Sequence, residues 1–212
     1  MNFFTSDLHL NHNKEFIYKK RGFNSIKEHD RAIIDNINNM VAEDDYLYIL
    51  GDICMGDMHI DRDKKAYNYV YSLLKEIKCK NVCVTLGNHD TNTKVKIYKQ
   101  LGFNVFPDVA HTITINKQKF IISHYPVVKT YAIPTNVDPY PYKDNLGSEV
   151  ISLFGHTHQK EDFMNKNGAI NPLWFHVGVD SNDNHPIEVE EILEKVRNKY
   201  DETIVKMKNA LN

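Results

Sequence analysis

Apolar residues along this chain fall into strand-length runs and helically spaced sets that alternate, and the alternation stops near the middle. Residues 1–6, 46–50 and 81–86 are short apolar runs of strand length. Between them the spacing is helical. Ile26, Ile33, Ile34, Ile37 and Val41 share one helix face, and Ala66, Tyr69, Val70, Leu73, Leu74 and Ile77 share another across residues 61–77. Ser25 followed by Glu28 reads as a capping box opening the first of these helices. A shorter helix is expected over residues 93–101.

Past residue 110 the texture changes. Residues 112–115, 119–123, 150–154 and 174–179 read as strands with little helix between them, and Asn116, Lys117 and Gln118 read as a hairpin turn. A βαβα half followed by a β-rich half implies an α/β fold: a four-layer αββα sandwich, two mixed β-sheets packed face to face with flanking helices. With no internal repeat or linker, a single domain over residues 1–212 is expected. It should close with a helix over about 190–211, whose stripe is Leu193, Val196, Tyr200, Ile204, Met207 and Leu211. Packing on its own domain is the first reading of that stripe, and a homodimer contact is the second. Residues 129–147, with Pro134, Pro139, Pro141 and three tyrosines, should form an irregular loop, which is either a substrate rim or a solvated excursion.

Composition excludes more than it reveals. With 42% apolar and 25% charged residues, the chain is ordinary for a soluble globular protein. A net charge of −2 advertises no extended nucleic-acid surface, though small nucleotide-like ligands stay open because a metal brings its own positive charge. Cys54, Cys79 and Cys83 form no C-x-x-C pair, which suits reduced thiols in the cytoplasm. No signal peptide and no membrane span is expected.

The 11 histidines matter for where they fall. Five of the expected strands are followed by metal-compatible side chains. Asp7 and His9 follow the first, Asp52 the second, and Asn88, His89 and Asp90 the third. His124 follows the run at 119–123, and His156 and His158 follow the run at 150–154. In extended backbone, residues i and i+2 point the same way, so each such pair would converge on one point. Singly, each is better explained as a turn, cap or buried polar residue. Together they suit a pair of divalent ions, which wants a carboxylate bridge, oxygen ligands and neutral imidazoles. The absence of cysteine from the set argues against a structural zinc site. The glycines before Asp52, Asn88 and His156 are expected to supply tight turns.

These endings resemble, in kind and order, the motifs of the calcineurin-like metallophosphoesterases: D-x-H (Asp7, His9), G-D (Gly51, Asp52), G-N-H-D (Gly87 to Asp90), a single His124, and G-H-x-H (Gly155 to His158). The likeness is to small stand-alone bacterial and phage members. It extends to T-S-D-L-H-L-N-H at the start, S-H-Y-P around His124 and H-V-G-V-D ending at Asp180. It implies two divalent ions drawn from Mn, Fe, Ni, Co or Zn. Asp7, His9, Asp52 and His158 would hold one, and Asp52, as bridge, with Asn88, His124 and His156 would hold the other. A metal-bridging hydroxide would attack phosphorus, His89 would protonate the leaving oxygen, and Asp90 would orient His89. The implied activity is phosphodiester hydrolysis of a small or nucleotide-like substrate. The alternatives are a phosphomonoesterase and a catalytically silent metal-binding scaffold. A protein Ser/Thr phosphatase would need a longer chain and arginine-rich motif surroundings.

The connection from His124 to Gly155 is longer than the resemblance leads one to expect. His12 and Arg21 are candidates for the substrate phosphate, Arg21 by a bidentate contact, with an exposed surface position as the alternative. His29, His59, His111 and His185 are expected at the surface, His176 in a structural position, and Cys54 buried.

Overall fold

A computed structural model describes residues 1–126, 150–166 and 169–210. The expected loop at 129–147 lies outside them. The first half runs β1 (Asn2–Thr5), α1 (Glu15–Tyr18), α2 (Ile26–Met40), β2 (Tyr46–Leu50), α3 (Lys64–Lys75), β3 (Asn81–Thr85), α4 (Asn92–Gln100) and β4 (Asn104–Val105). The second runs β5 (Ala110–Ile115), β6 (Gln118–Ser123), β7 (Val150–Phe154), β8 (Phe163–Lys166), β9 (Ala169–His176), β10 (Ile187–Glu188) and α5 (Val189–Ala210).

Two mixed sheets result. One has the order β10-β1-β2-β3-β4, parallel except where β10 meets β1; the other has the order β5-β6-β7-β9-β8, with β6, β7 and β9 parallel. Alternation along the strands explains the continuous apolar runs, since successive side chains go to opposite faces. Phe3, Leu47, Ile49, Val82 and Val84 join Ile33, Ile34, Ile37, Val70 and Leu74 of the outer helices in one core. Phe4 and Leu50 turn the other way and meet Phe120, Ile122, Leu153 and Phe175 of the second sheet. The expected α/β arrangement of two mixed sheets with flanking helices is therefore present.

Local chemistry sets the element ends. Ser25 accepts a hydrogen bond from the Glu28 N–H at 3.2 Å, while the Glu28 carboxylate reaches back to the Asn24 N–H at 2.9 Å, one residue earlier than an ideal capping box. Asp63 caps α3 through the Ala66 N–H at 3.0 Å, so that helix starts later than residue 61. Asn116 (φ 49°) and Lys117 (φ 68°) form the β5–β6 turn, with both central residues left-handed as a two-residue primed hairpin requires.

The strand expected at 174–179 ends at His176 instead. The chain there leaves the second sheet for the first: the Val177 N–H donates to the Phe154 carbonyl at 2.8 Å, and the Val179 N–H to the Ser6 carbonyl at 3.2 Å. α5 packs along β9, β10 and β1, burying Ile192, Leu193 and Val196, whereas Tyr200 is 43% exposed. Of the expected stripe, Leu193 and Val196 are therefore packed and Tyr200 is not, while the side chains of Ile204 and Met207 and the whole of Leu211 lie outside the described residues.

Candidate metal centre

The expected ligands lie just beyond the carboxyl ends of β1, β2, β3, β6 and β7. At five of them the backbone is not extended. Asp7 (φ 56°), His9 (φ 51°), Asp52 (φ 52°), His156 (φ 68°) and His158 (φ 48°) are all left-handed. Each such residue costs about 1–2 kcal/mol, and Asp and His are among the few types that tolerate it. Inter-loop backbone bonds hold the conformation: the Asp7 N–H donates to the Gly51 carbonyl at 3.1 Å and the His9 N–H to the Asp52 carbonyl at 3.0 Å. Asp7 and His9 still converge, with His158, but the i, i+2 convergence expected of His156 and His158 does not occur. His156 turns toward His124 (Nδ1 to Nε2, 3.2 Å) and His158 toward His9 (Nε2 to Nε2, 3.1 Å).

Only one of the three motif glycines serves as a left-handed turn. Gly51 has φ +85°, and a Cβ there would lie 2.7 Å from His124 Nδ1. Gly87 and Gly155 lie outside the left-handed range, but a Cβ at Gly155 would overlap Ser6 Oγ and Asp7 Oδ2, and one at Gly87 would overlap Asp52 Oδ1. They are glycines because neighbouring loops touch their backbone.

Two overlapping groups of donor atoms could hold a cation: Asp7, His9 and His158, and Asp7, Asp52 and His124, each with its atoms within 4.8 Å of one another. Asp52 Oδ2 lies 3.8 Å from His9 Nε2 and 3.6 Å from His124 Nε2. Asn88 Oδ1 lies 3.1 Å from His124 Nε2 and 3.0 Å from His156 Nδ1. The donor set fits a metal on two grounds. Asp7 Oδ1 is buried without any hydrogen-bond partner. His124 faces the Leu50 carbonyl through Nδ1 at 2.9 Å, which puts its proton there and turns the Nε2 electron pair on the oxygens of Asn88 and Asp52. Electron pairs that meet with no proton between them call for a cation.

The electrostatics agree. Burial, then His158 and Arg21, hold His9 far below the usual histidine range, and burial, then His124, lower His156. Both rings are neutral near neutral pH and keep electron pairs for a metal. His158 moves the other way. Burial opposes protonation, but the hydrogen bond to Asp180 and the charge of Asp7 outweigh it and raise its pKa.

His89 stands beside these groups with its side chain 41% exposed, Nε2 3.9 Å from Asp52 Oδ2. Its backbone N–H donates to Asp52 Oδ1 at 2.9 Å, and its carbonyl accepts from the buried Lys94 at 2.7 Å. Asp90 was expected to face the His89 ring. Its carboxylate instead accepts from the Gly87 N–H (2.9 Å), the Asp52 N–H (2.7 Å) and the Tyr98 hydroxyl (2.7 Å), so it ties the two loops together. His12 is half-buried over His9, Nδ1 to Nδ1 3.0 Å, with its ring edge-on to the exposed Phe16.

Arg21 is neither at the surface nor free to meet a phosphate. Its five N–H groups face Asp180 (Nε to Oδ1 3.0 Å, Nη2 to Oδ2 2.7 Å), the Leu8 and Asp7 carbonyls (3.2 and 2.9 Å) and His29 Nε2 (3.0 Å). His29, expected at the surface, is fully buried, because Arg21 and Asp30 (Nδ1 to Oδ1, 2.8 Å) satisfy both ring nitrogens. His59 is exposed, and His111 and His185 are half-buried. His176 is buried with Nδ1 on Ser181 Oγ at 2.8 Å, and burial lowers its pKa to about 4. Cys54 is buried, its thiol pushed up to about 12 by burial. The residues missed from sequence are Asp180, Asp30, Lys94 and Tyr98. Of these only Asp180 had a signal, as the end of H-V-G-V-D.

The sequence profile of the calcineurin-like phosphoesterases matches residues 3–191. An uncharacterized protein, MJ1445, of Methanocaldococcus jannaschii is 26% identical over 158 residues, 69% of this chain and 81% of that one. The gene 66 protein of Mycobacterium phage D29 is 26% identical over 189 residues, covering 84% and 87%. Among solved structures, the protein AQ665 of Aquifex aeolicus shares the fold, with a TM-score of 0.58 at 23% identity over 92% of this chain and 98% of that one. The chain therefore belongs to the calcineurin-like phosphoesterase family and is a metal-dependent hydrolase of phosphoester bonds.

Proposed function

We propose that the chain is a dinuclear phosphodiesterase acting on small, nucleotide-like phosphoesters. Asp7, His9, Asp52 and His158 would hold one divalent ion, and Asp52, Asn88, His124 and His156 the other. The observation that carries this reading is the position of Asp52 Oδ2, within 4 Å of imidazole nitrogens from both groups, His9 and His124. Two divalent ions bound there would supply charge neutralisation and water activation for an in-line displacement at phosphorus. The chain's own groups do the rest. His89, the half-exposed imidazole beside Asp52, carries the proton that the leaving oxygen takes. Asp90 and Lys94 fix the loop that aims it through contacts to its backbone, and the Tyr98 hydroxyl holds the Asp90 carboxylate. His12, half-buried with its Nδ1 3.0 Å from that of His9, would meet a phosphate oxygen of the substrate. The three buried, free thiols support a reducing, cytoplasmic setting.

A diester leaving as an alkoxide needs that proton far more than an aryl leaving group does. Hydrolysis of alkyl and aryl phosphodiesters, with the matching monoesters, tests the reading. With His89→Ala, kcat on the alkyl diester is expected to fall by about 10²–10⁴, with a much smaller loss on the aryl diester. Equal losses on both would remove the proton-donor role, and faster turnover of monoesters would shift the class to phosphomonoesterase.

A further inference from the structure

Buried polar groups continue away from the ligand cluster in an unbroken line. His158 Nδ1 lies 2.8 Å from Asp180 Oδ2. Both Asp180 oxygens are forked by Arg21, whose side chain is 2% exposed. Arg21 Nη1 meets His29 Nε2, His29 Nδ1 meets Asp30 Oδ1, and Asp30 Oδ2 accepts from the Tyr69 hydroxyl at 3.0 Å and the Asn11 N–H at 2.8 Å. The line joins α3, α2 and the loop after β1 to the turn after β9.

The proton positions follow from chemistry alone. Arginine only donates, so His29 Nε2 accepts and its proton sits on Nδ1, facing Asp30. A carboxylate only accepts, so the proton of His158 sits on Nδ1, facing Asp180 at 2.8 Å; Arg21 Nη2, 3.5 Å from that nitrogen, has both its protons on the closer Asp180 and Asp7 oxygens. In the neutral ring His158 Nε2 then keeps its electron pair, 3.1 Å from His9 Nε2 and 3.8 Å from Asp7 Oδ1. The same arginine also grips the carbonyls of Asp7 and Leu8, between the left-handed Asp7 and His9. One side chain thus holds both the carboxylate that sets a ligand's tautomer and the strained turn that carries two other ligands.

We propose that Arg21 and Asp180 are positioning residues: a clamp that presets His158 as an Nε2 ligand and the Asp7–His9 turn as its partner, raising metal affinity at that half of the centre. The proposal rests on the metal-centre reading above. It also explains why five donors are saturated in a place where a phosphate-binding arginine would keep some free. Groups of this kind commonly change metal affinity by about 10–100-fold when altered.

The test uses Asp180→Asn, which keeps the shape but can donate a proton to Nδ1 and so allow the proton to move to Nε2. Metal-free protein labelled with ¹⁵N-histidine is expected to show His158 as the Nδ1–H tautomer in the wild type and a shift toward Nε2–H in the variant. Cobalt(II) titration, followed by its visible absorption, is expected to weaken by about 10–100-fold at one site. Arg21→Lys, which cannot fork the carboxylate, is expected to weaken the same site. Equal cobalt affinity in wild type and both variants, even with lowered thermal stability, would make the clamp purely structural and overturn the proposal. If Asp180→Asn does not fold, an Nε2–H His158 in the wild type overturns it alone. A wild type that takes up no cobalt would instead defeat the metal-centre reading, and this one with it.

Discussion

At the scale of single residues, the centre is built on backbone that ordinary folding avoids. Five left-handed ligands at about 1–2 kcal/mol each persist because the loops after β1, β2 and β7 hold one another. The contact between Gly155 and the Ser6–Asp7 turn is the tightest of these. Gly155→Ala would force a methyl group into Ser6 Oγ and Asp7 Oδ2. A loss of about 1–3 kcal/mol in stability is expected, together with weaker metal binding, read by chemical denaturation and metal titration. The ligands were legible in sequence because their order after successive strands is a one-dimensional pattern. The roles of Arg21, His29 and Asp180 were not. Arg21 and Asp180 meet across 159 residues, and no local periodicity tells a buried histidine from an exposed one. The i, i+2 argument failed for His156 and His158 for a related reason: it assumed extended backbone where the chain turns left-handed.

At the scale of elements, α2 to α5 and the longer strands, the edge strand β5 included, were readable, and the four-residue α1 and the edge pieces β4, β8 and β10 were not. α2 and α3 carry long apolar stripes, and the continuous runs of β1, β2 and β3 match strands covered on both faces. β4 and β10 have two residues each, too few for any period to show. β8 pairs with β9 through a shifted register between Phe163 and Asn165, which blurs the alternation that marks a strand. Two substitutions separate scaffold from site. Ser25→Ala removes the N-cap of α2, far along the chain from any ligand, and is expected to cost about 1 kcal/mol while metal affinity stays unchanged. Phe4→Ala empties a fully buried position stacked on Tyr48 at 4.9 Å between the sheets, and is expected to cost about 3–5 kcal/mol. Urea melts beside metal titrations check both.

At the scale of the whole molecule, stability should follow metal and pH together. Metal that binds only the folded chain adds about 2.7 kcal/mol at a hundred times its dissociation constant, so a chelator should lower the melting temperature. In the metal-free protein, His176 is held neutral, with a folded pKa of about 4 against an ordinary 6.5. Between those values the unfolded chain binds more protons, so this contribution is complete above about pH 6.5 and is lost as pH falls toward about 4, at most about 3 kcal/mol. His9 and His156 shift in the same direction and should steepen the fall. His176→Asn is expected to flatten the profile by its own share, read by urea melts across that range. Among the described residues no helix is long and apolar enough to cross a membrane. The most direct test of the central claim is a manganese titration of metal-stripped protein during hydrolysis of a phosphodiester. The account expects no turnover without metal and activity that saturates at two ions per chain. Turnover by the stripped protein, or saturation at one ion, would contradict it.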